Sequence, residues 1–89
     1  MTTTVDAKDE VQARLKKLEL PYGKWQHYKG PCYWVFATSI DEGTLEALVH
    51  YESLAHGTCW TRTVKNFTEE VTSPSGEKKP RFEFIGGSK

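Results

Sequence analysis

Gly23-Lys24-Trp25-Gln26-His27-Tyr28-Lys29-Gly30 runs directly into Pro31-Cys32-Tyr33-Trp34-Val35-Phe36-Ala37-Thr38-Ser39-Ile40. The reading of this stretch decides the fold. Lys24–Tyr28 and Tyr33–Ile40 carry the aromatic and β-branched residues of strands. Between them, Lys29-Gly30-Pro31-Cys32 carries the Gly and Pro of a turn, so the whole predicts a β-hairpin. The same residues bear on function. Two aromatics, a histidine and two lysines stand between two glycines in eight residues. A small domain rarely spends such a set on solvent contact alone, so the segment points to a recognition surface.

Working outward, Asp41-Glu42-Gly43 predicts a second turn. Leu45–Glu52 fits two patterns. Leu45, Leu48 and Val49 suit a helix face, whereas Leu45, Ala47, Val49 and Tyr51 suit a strand face; its shortness and its flanking turns favour a strand. His56-Gly57 turns the chain again. Cys59–Val64 predicts a strand with Trp60, Arg62 and Val64 on one face. Phe67–Val71 and Arg81–Ile85 are expected to close a last hairpin around Ser73-Pro74-Ser75-Gly76. Upstream, Asp6 or Asp9 is placed to cap a helix reaching about Leu18, with Val11, Leu15 and Leu18 on one face and Pro21 as its stop. Met1–Val5 reads as a frayed end. The expected organisation is a tail and short helix over residues 1–22, a small β domain over 23–85 and a flexible tail over 86–89. The expected fold is mainly β: a small barrel-like (SH3-like) or rolled antiparallel sheet of five to six strands with one N-terminal helix.

Eighty-nine residues make one domain. A chain this short buries only about 60–65% of its unfolded surface, so large aromatics are an economical filling. Three Trp, four Tyr and four Phe supply it. Twelve basic and twelve acidic residues cancel. That argues against nucleic-acid or membrane-surface binding driven by net charge, although a local basic patch fits. Cys32 and Cys59 stand alone, no N-terminal apolar run resembles a signal peptide, and no apolar run approaches membrane length. A cytoplasmic location with both thiols reduced is therefore expected, with no membrane association.

The strand region resembles the family known as domain of unknown function 1653, whose members are mostly short bacterial proteins. The resemblance rests on His27-Tyr28-Lys29-Gly30, Tyr33-Trp34-Val35, Thr44-Leu45-Glu46, Leu48-Val49, Tyr51, Trp60 and Arg62. It continues through Phe67, Glu69, Val71, Gly76 and Pro80-Arg81-Phe82-Glu83. It covers Gly23 to Ile85 and leaves the N-terminal helix outside. The chain departs from the family pattern at Asp41-Glu42, where His and Ser are common, at Gly43, at Thr63 (often Pro) and at Asn66 (often Met). The resemblance implies no particular biochemical activity.

His27, Lys29, Tyr51, Trp60, Arg62 and Arg81 are the candidate ligand-binding residues. Arg offers a planar fork of donors for a carboxylate or phosphate, and aromatic faces add stacking and cation–π contact. A small anionic molecule or a peptide is the expected ligand, with single-stranded nucleic acid and a small enzyme of unknown reaction as alternatives. The bland reading is that Tyr51 and Trp60 are partly core and that Arg62 stacks on Trp60 or pairs with Glu46 or Glu83. His27, Cys32, His50, His56 and Cys59 are the available metal ligands, but their spacings do not match a structural zinc site. Cys59 with His56 or His50 lacks the third, orienting group that thiol activation needs. Lys78-Lys79-Pro80-Arg81 reads as a solvated hairpin flank beside Glu77 and Glu83. No cofactor, metal site or catalytic residue is expected.

Overall fold

A computed structural model describes the backbone of residues 7–18 and 20–87. The elements are α1 (Ala7–Leu18), β1 (Gly23–His27), β2 (Cys32–Ile40), β3 (Ala47–Ser53) and β4 (Cys59–Thr63), then α2 (Val64–Phe67), β5 (Glu70–Thr72), β6 (Lys78–Pro80) and β7 (Phe82–Gly86). Five strands form one antiparallel sheet in the order β4-β3-β2-β1-β7, and β5 pairs with β6 in a separate ribbon. The fold is mainly β with one N-terminal helix. The sheet stays open, with β4 and β7 as its edges, so the barrel-like closure expected from the sequence does not occur.

Alternation along the strands makes one face apolar. Trp25, Val35, Val49, Tyr51 and Phe82 are buried there, because residues two apart leave a strand on the same side. This face would lie open to water without a cover. The cover is α2, a single turn whose Val64 and Phe67 are both buried. Thr63 caps it: the Thr63 hydroxyl accepts the Asn66 N–H at 3.1 Å, which satisfies a donor that a helix start leaves orphaned. Phe67 lies parallel to Phe82 with ring centroids 4.2 Å apart, and it meets Trp25 edge-on at 5.1 Å.

Two expectations change here. Val64 and Phe67 were expected at strand ends, but they form this helical turn. Arg81–Ile85 was expected to pair with Phe67–Val71. Instead β5 pairs with β6 and β7 pairs with β1, His27 opposite Phe82. The physical reason is burial: β7 carries Phe82, which must reach the main core, while Lys78-Lys79-Pro80 is exposed throughout. Leu45–Glu52 is a strand, observed over Ala47–Ser53. The α1 helix has Val11 buried and Asp9 and Glu10 in its first turn. Asp6, Met1–Val5 and the last two residues of the tail lie outside the described residues.

The hairpin that decides the fold turns at His27–Gly30, where the Gly30 N–H meets the His27 carbonyl at 2.8 Å. Gly30 has φ +116° with open space where a Cβ would stand. Gly30→Ala should therefore cost only the backbone term, about 1 kcal/mol. Thermal unfolding checks this; an unchanged Tm would show that Gly30 is not required there.

Candidate functional site

The buried ring of Phe82 is the floor of the site. His27 meets it edge-on at 4.9 Å, and the Arg62 guanidinium carbon lies 5.6 Å from its centroid. Tyr33 and Tyr51 stand beside it at 5.7 and 5.4 Å. Each neighbour arrives from a different strand: His27 from β1, Tyr33 from β2, Tyr51 from β3 and Arg62 from β4. The open sheet thus gathers side chains distant in sequence over one aromatic centre.

Arg62 is held at two points. Its Nε donates to the Tyr51 hydroxyl at 2.8 Å, and its Nη1 donates to the Asn66 side-chain oxygen. Arg81 is held by its Nε, which donates to the Asn66 carbonyl at 3.0 Å. Arg81 sits at the corner between β6 and β7. There its N–H pairs with the Glu69 carbonyl, and its own carbonyl accepts from Tyr28. Asn66 therefore fixes both guanidiniums, one by its side chain and one by its backbone. All three acceptors are neutral oxygens, so these bonds orient the cations without cancelling their charge. The expectation that Arg62 stacks on Trp60 or pairs with Glu46 or Glu83 gives way to Phe82, Tyr51 and Asn66.

The electrostatics report the same convergence. Burial pushes His27 below its ordinary pKa of 6.5, and the positive charges of Arg62, Lys29 and Arg81 push it the same way. The Lys29 N–H donates to His27 Nδ1 at 3.2 Å, which leaves the proton of a neutral ring on Nε2. Burial pushes the Tyr51 phenol up, partly offset by the Arg62 bond, so Tyr51 stays protonated at neutral pH. The Lys29 ammonium lies over the Tyr28 ring at 5.7 Å. His27, Lys29, Tyr51, Arg62 and Arg81 therefore share one neighbourhood. Trp60 lies opposite Tyr51 across the β3–β4 ladder, hence on the same face, and it is 54% exposed at the sheet edge.

Because its folded pKa is depressed, His27 binds a proton less readily in the native state than in the unfolded chain. Its contribution to stability is complete above about pH 6.5 and falls as pH drops through and below that value. The Tm difference between wild type and His27→Gln should shrink on going from pH 7.5 to 5. A pH-independent difference would show that His27 does not feel the cluster.

Beside this cluster, Gln26, His27, Tyr28, Gly30, Lys79, Pro80 and Glu83 line a cleft of about 320 Å³. A larger cavity of about 420 Å³ lies between α1 and α2, lined by Val11, Leu45, Ala47 and Val64 among others. It contains none of the six candidate residues. Sequence reasoning missed Asn66 and did not assign Phe82 a role in the site; the spacing Thr63-x-x-Asn66 was the readable signal for the turn that carries Asn66.

On the opposite sheet face, Ser39 Oγ lies 2.6 Å from His50 Nε2, and Thr61 Oγ1 lies 3.1 Å from His50 Nδ1. These three residues come from the neighbouring strands β2, β3 and β4, and their side chains link the three strands. The arrangement is a cross-strand brace. Both cysteines are free, Cys59 exposed and Cys32 half-buried. Among the described residues no three His, Cys, Asp or Glu side chains gather as a metal site, and no helix is long and apolar enough to cross a membrane.

Comparison with known proteins gives two matches. The model of a family described as "Protein of unknown function (DUF1653)" matches residues 23–84. The crystal structure of a DUF1653 protein from Bordetella bronchiseptica is similar at 27% identity and a TM-score of 0.72, over 81% of this chain and 95% of that one. No curated protein matches. The family match covers every candidate residue and runs from the start of β1 to Phe84 in β7, and the chain belongs to the DUF1653 family.

Proposed function

We propose that this domain is a non-enzymatic binding module for a small anionic group, carried on a free molecule or on a peptide. One observation carries the reading: two guanidiniums are anchored through Nε to neutral oxygens, Arg62 on Tyr51 and Arg81 on Asn66, with Arg62 lying over the Phe82 ring. An arginine has five N–H donors. Anchoring at Nε, and in Arg62 also at Nη1, leaves the remaining Nη donors for a ligand, in an orientation already set. A preorganised fork loses less entropy on binding than a mobile one. His27 lies close enough to both cations to lose basicity through them. A bound anion reverses that effect, so His27 should titrate at higher pH in the complex, and anion affinity should rise as pH falls.

Calorimetric titration with inorganic phosphate and with a nucleoside monophosphate tests the reading. Saturation at 100 times Kd should add about 2.7 kcal/mol of stability. Arg62→Lys is the informative variant. It loses the bond to Tyr51 and the planar fork, so it should lower stability by about 1–2 kcal/mol and affinity by about tenfold or more. A loss of stability with phosphate affinity unchanged would make Arg62 only a brace and remove it from the site. The exposed indole of Trp60 is also a platform on which a base would stack, so a short oligothymidylate belongs in the same titration.

A further inference from the structure

We propose that the partner is an extended acidic peptide that adds to the free edge of β4 as a sixth strand. Its apolar side chain would lie on Trp60, and a carboxylate two residues away would meet Arg62. The proposal rests on the anion-binding reading above and names the carrier of the anion.

Among the described residues, β4 pairs with β3 on one side and is the last strand of the sheet on the other. Such an edge offers alternate N–H and C=O groups for pairing, and proteins commonly blunt it with Pro, Lys or a bulge. Cys59-Trp60-Thr61-Arg62-Thr63 contains no Pro and no Lys, and its pairing with β3 runs without a register shift. Cys59, Trp60 and Thr61 are exposed in succession, Trp60 by 54%. Among these residues the protective device is Arg62, whose guanidinium lies on the inner face, bonded to Tyr51 and Asn66 beside Phe82, with Nη donors still open to a carboxylate. A charge so placed repels a neutral apolar strand or a basic one, and it attracts a strand that carries a carboxylate at the matching position. Pairing with a second copy of β4 would bring the Arg62 of each copy to one junction with no carboxylate on either β4 segment. Charge therefore selects an acidic partner over self-association. The other edge, β7, presents Phe84 and Ile85 with Glu83 between Phe82 and Phe84, which does not suit an anionic strand.

Strand geometry fixes the recognition pattern. Trp60 and Arg62 are two residues apart on one face, so the side chains that meet them must also be two apart. The motif is apolar-x-acidic, in an order set by strand direction. Neither residue alone defines it; the spacing does.

The test uses the full chain and seven-residue peptides. Ser-Thr-Leu-Thr-Glu-Thr-Ser and its Glu-Thr-Leu reversal carry the spacing, and Ser-Thr-Leu-Thr-Thr-Glu-Ser breaks it. Binding is followed by calorimetry and tryptophan fluorescence. One of the two spaced peptides should bind about tenfold or more tightly than the broken one, and Trp60→Ala should erase that preference. Backbone N-methylation at one set of alternate residues should abolish binding, and methylation at the other set should be tolerated, because only alternate N–H groups face β4. Equal binding of spaced and broken peptides, or indifference to N-methylation, overturns strand addition while leaving phosphate binding intact. Failure of phosphate and peptides alike overturns the anion site itself. Dimerisation through β4 seen by sedimentation, or binding of oligothymidylate with no response to any peptide, assigns the edge to another occupant and overturns the proposal.

Discussion

Phe67→Ala should cost the protein a large share of its stability, about 3–5 kcal/mol. Phe67 has no exposed surface, and its ring touches three others: Phe82 in a parallel stack, Trp25 edge-on and Tyr51 at 5.5 Å. Truncating such a side chain costs about 3–5 kcal/mol through lost transfer energy and the cavity left behind. A domain of this length has a total stability of only about 4–13 kcal/mol. Its position makes the loss hard to absorb. Phe67 sits on a four-residue helix, which has no stability of its own at that length. Without the ring, α2 has little reason to lie on the sheet. Asn66 then leaves with it, and both guanidiniums lose an anchor. Phe67→Leu keeps most of the volume and should cost markedly less, while disturbing phosphate affinity little. Chemical denaturation of the two variants separates the effects. A small loss for Phe67→Ala would show that α2 is not what closes the core.

The importance of this turn was not legible in the sequence, for a physical reason. Helix is read from periodicity over several turns, and α2 has only one. Val64 and Phe67 are three apart, which one strand-like stretch running on into another obscures. The strands of the main sheet were legible because alternation and turn residues agreed. Gly30 and Gly76 stand at turns with positive φ, as their places between strands suggested. Closure was not legible, since nothing in local pattern says whether a fifth strand returns to the first. The same holds for β7: the hairpin at Ser73–Gly76 exists, but its outer strand is β6, and Phe82 carries the next strand away to β1. In the site, the face shared by Trp60 and Arg62 followed from their spacing of two, and Tyr51 joins it opposite Trp60. The anchoring by Asn66 did not, because it depends on where the chain bends after Thr63.

Gly23→Ala should be the most damaging single-methyl addition in the chain. Gly23 opens β1 with φ +137°, and a Cβ there would stand 2.5 Å from the Gly86 carbonyl oxygen. It would also stand 3.1 Å from a ring carbon of Phe84 and 3.2 Å from the Gly87 Cα. Two costs therefore act together. A non-glycine residue at such a φ costs about 1–3 kcal/mol. The contact with a backbone oxygen cannot be relieved by a rotamer change, so β7 must move away from β1. Their pairing already shifts register between Lys24 and Trp25, which brings the strands close at the point where a side chain has no room. The expected loss is about 3 kcal/mol or more, a fall in Tm of about 12 °C or more. Gly30→Ala is the internal control, because it has positive φ with nothing near the added methyl. Its loss measures the backbone cost alone, and the excess at Gly23 measures the close approach of the two strands. The consequence reaches the site, since β1–β7 pairing sets His27 against Phe82. At temperatures where Gly23→Ala remains folded, its His27 should titrate nearer to 6.5 than in wild type, because a displaced β7 buries the imidazole less. Equal losses for the two glycine variants would show that the β1–β7 junction yields freely. An unchanged His27 titration would show that the strand moves without disturbing the cationic cluster.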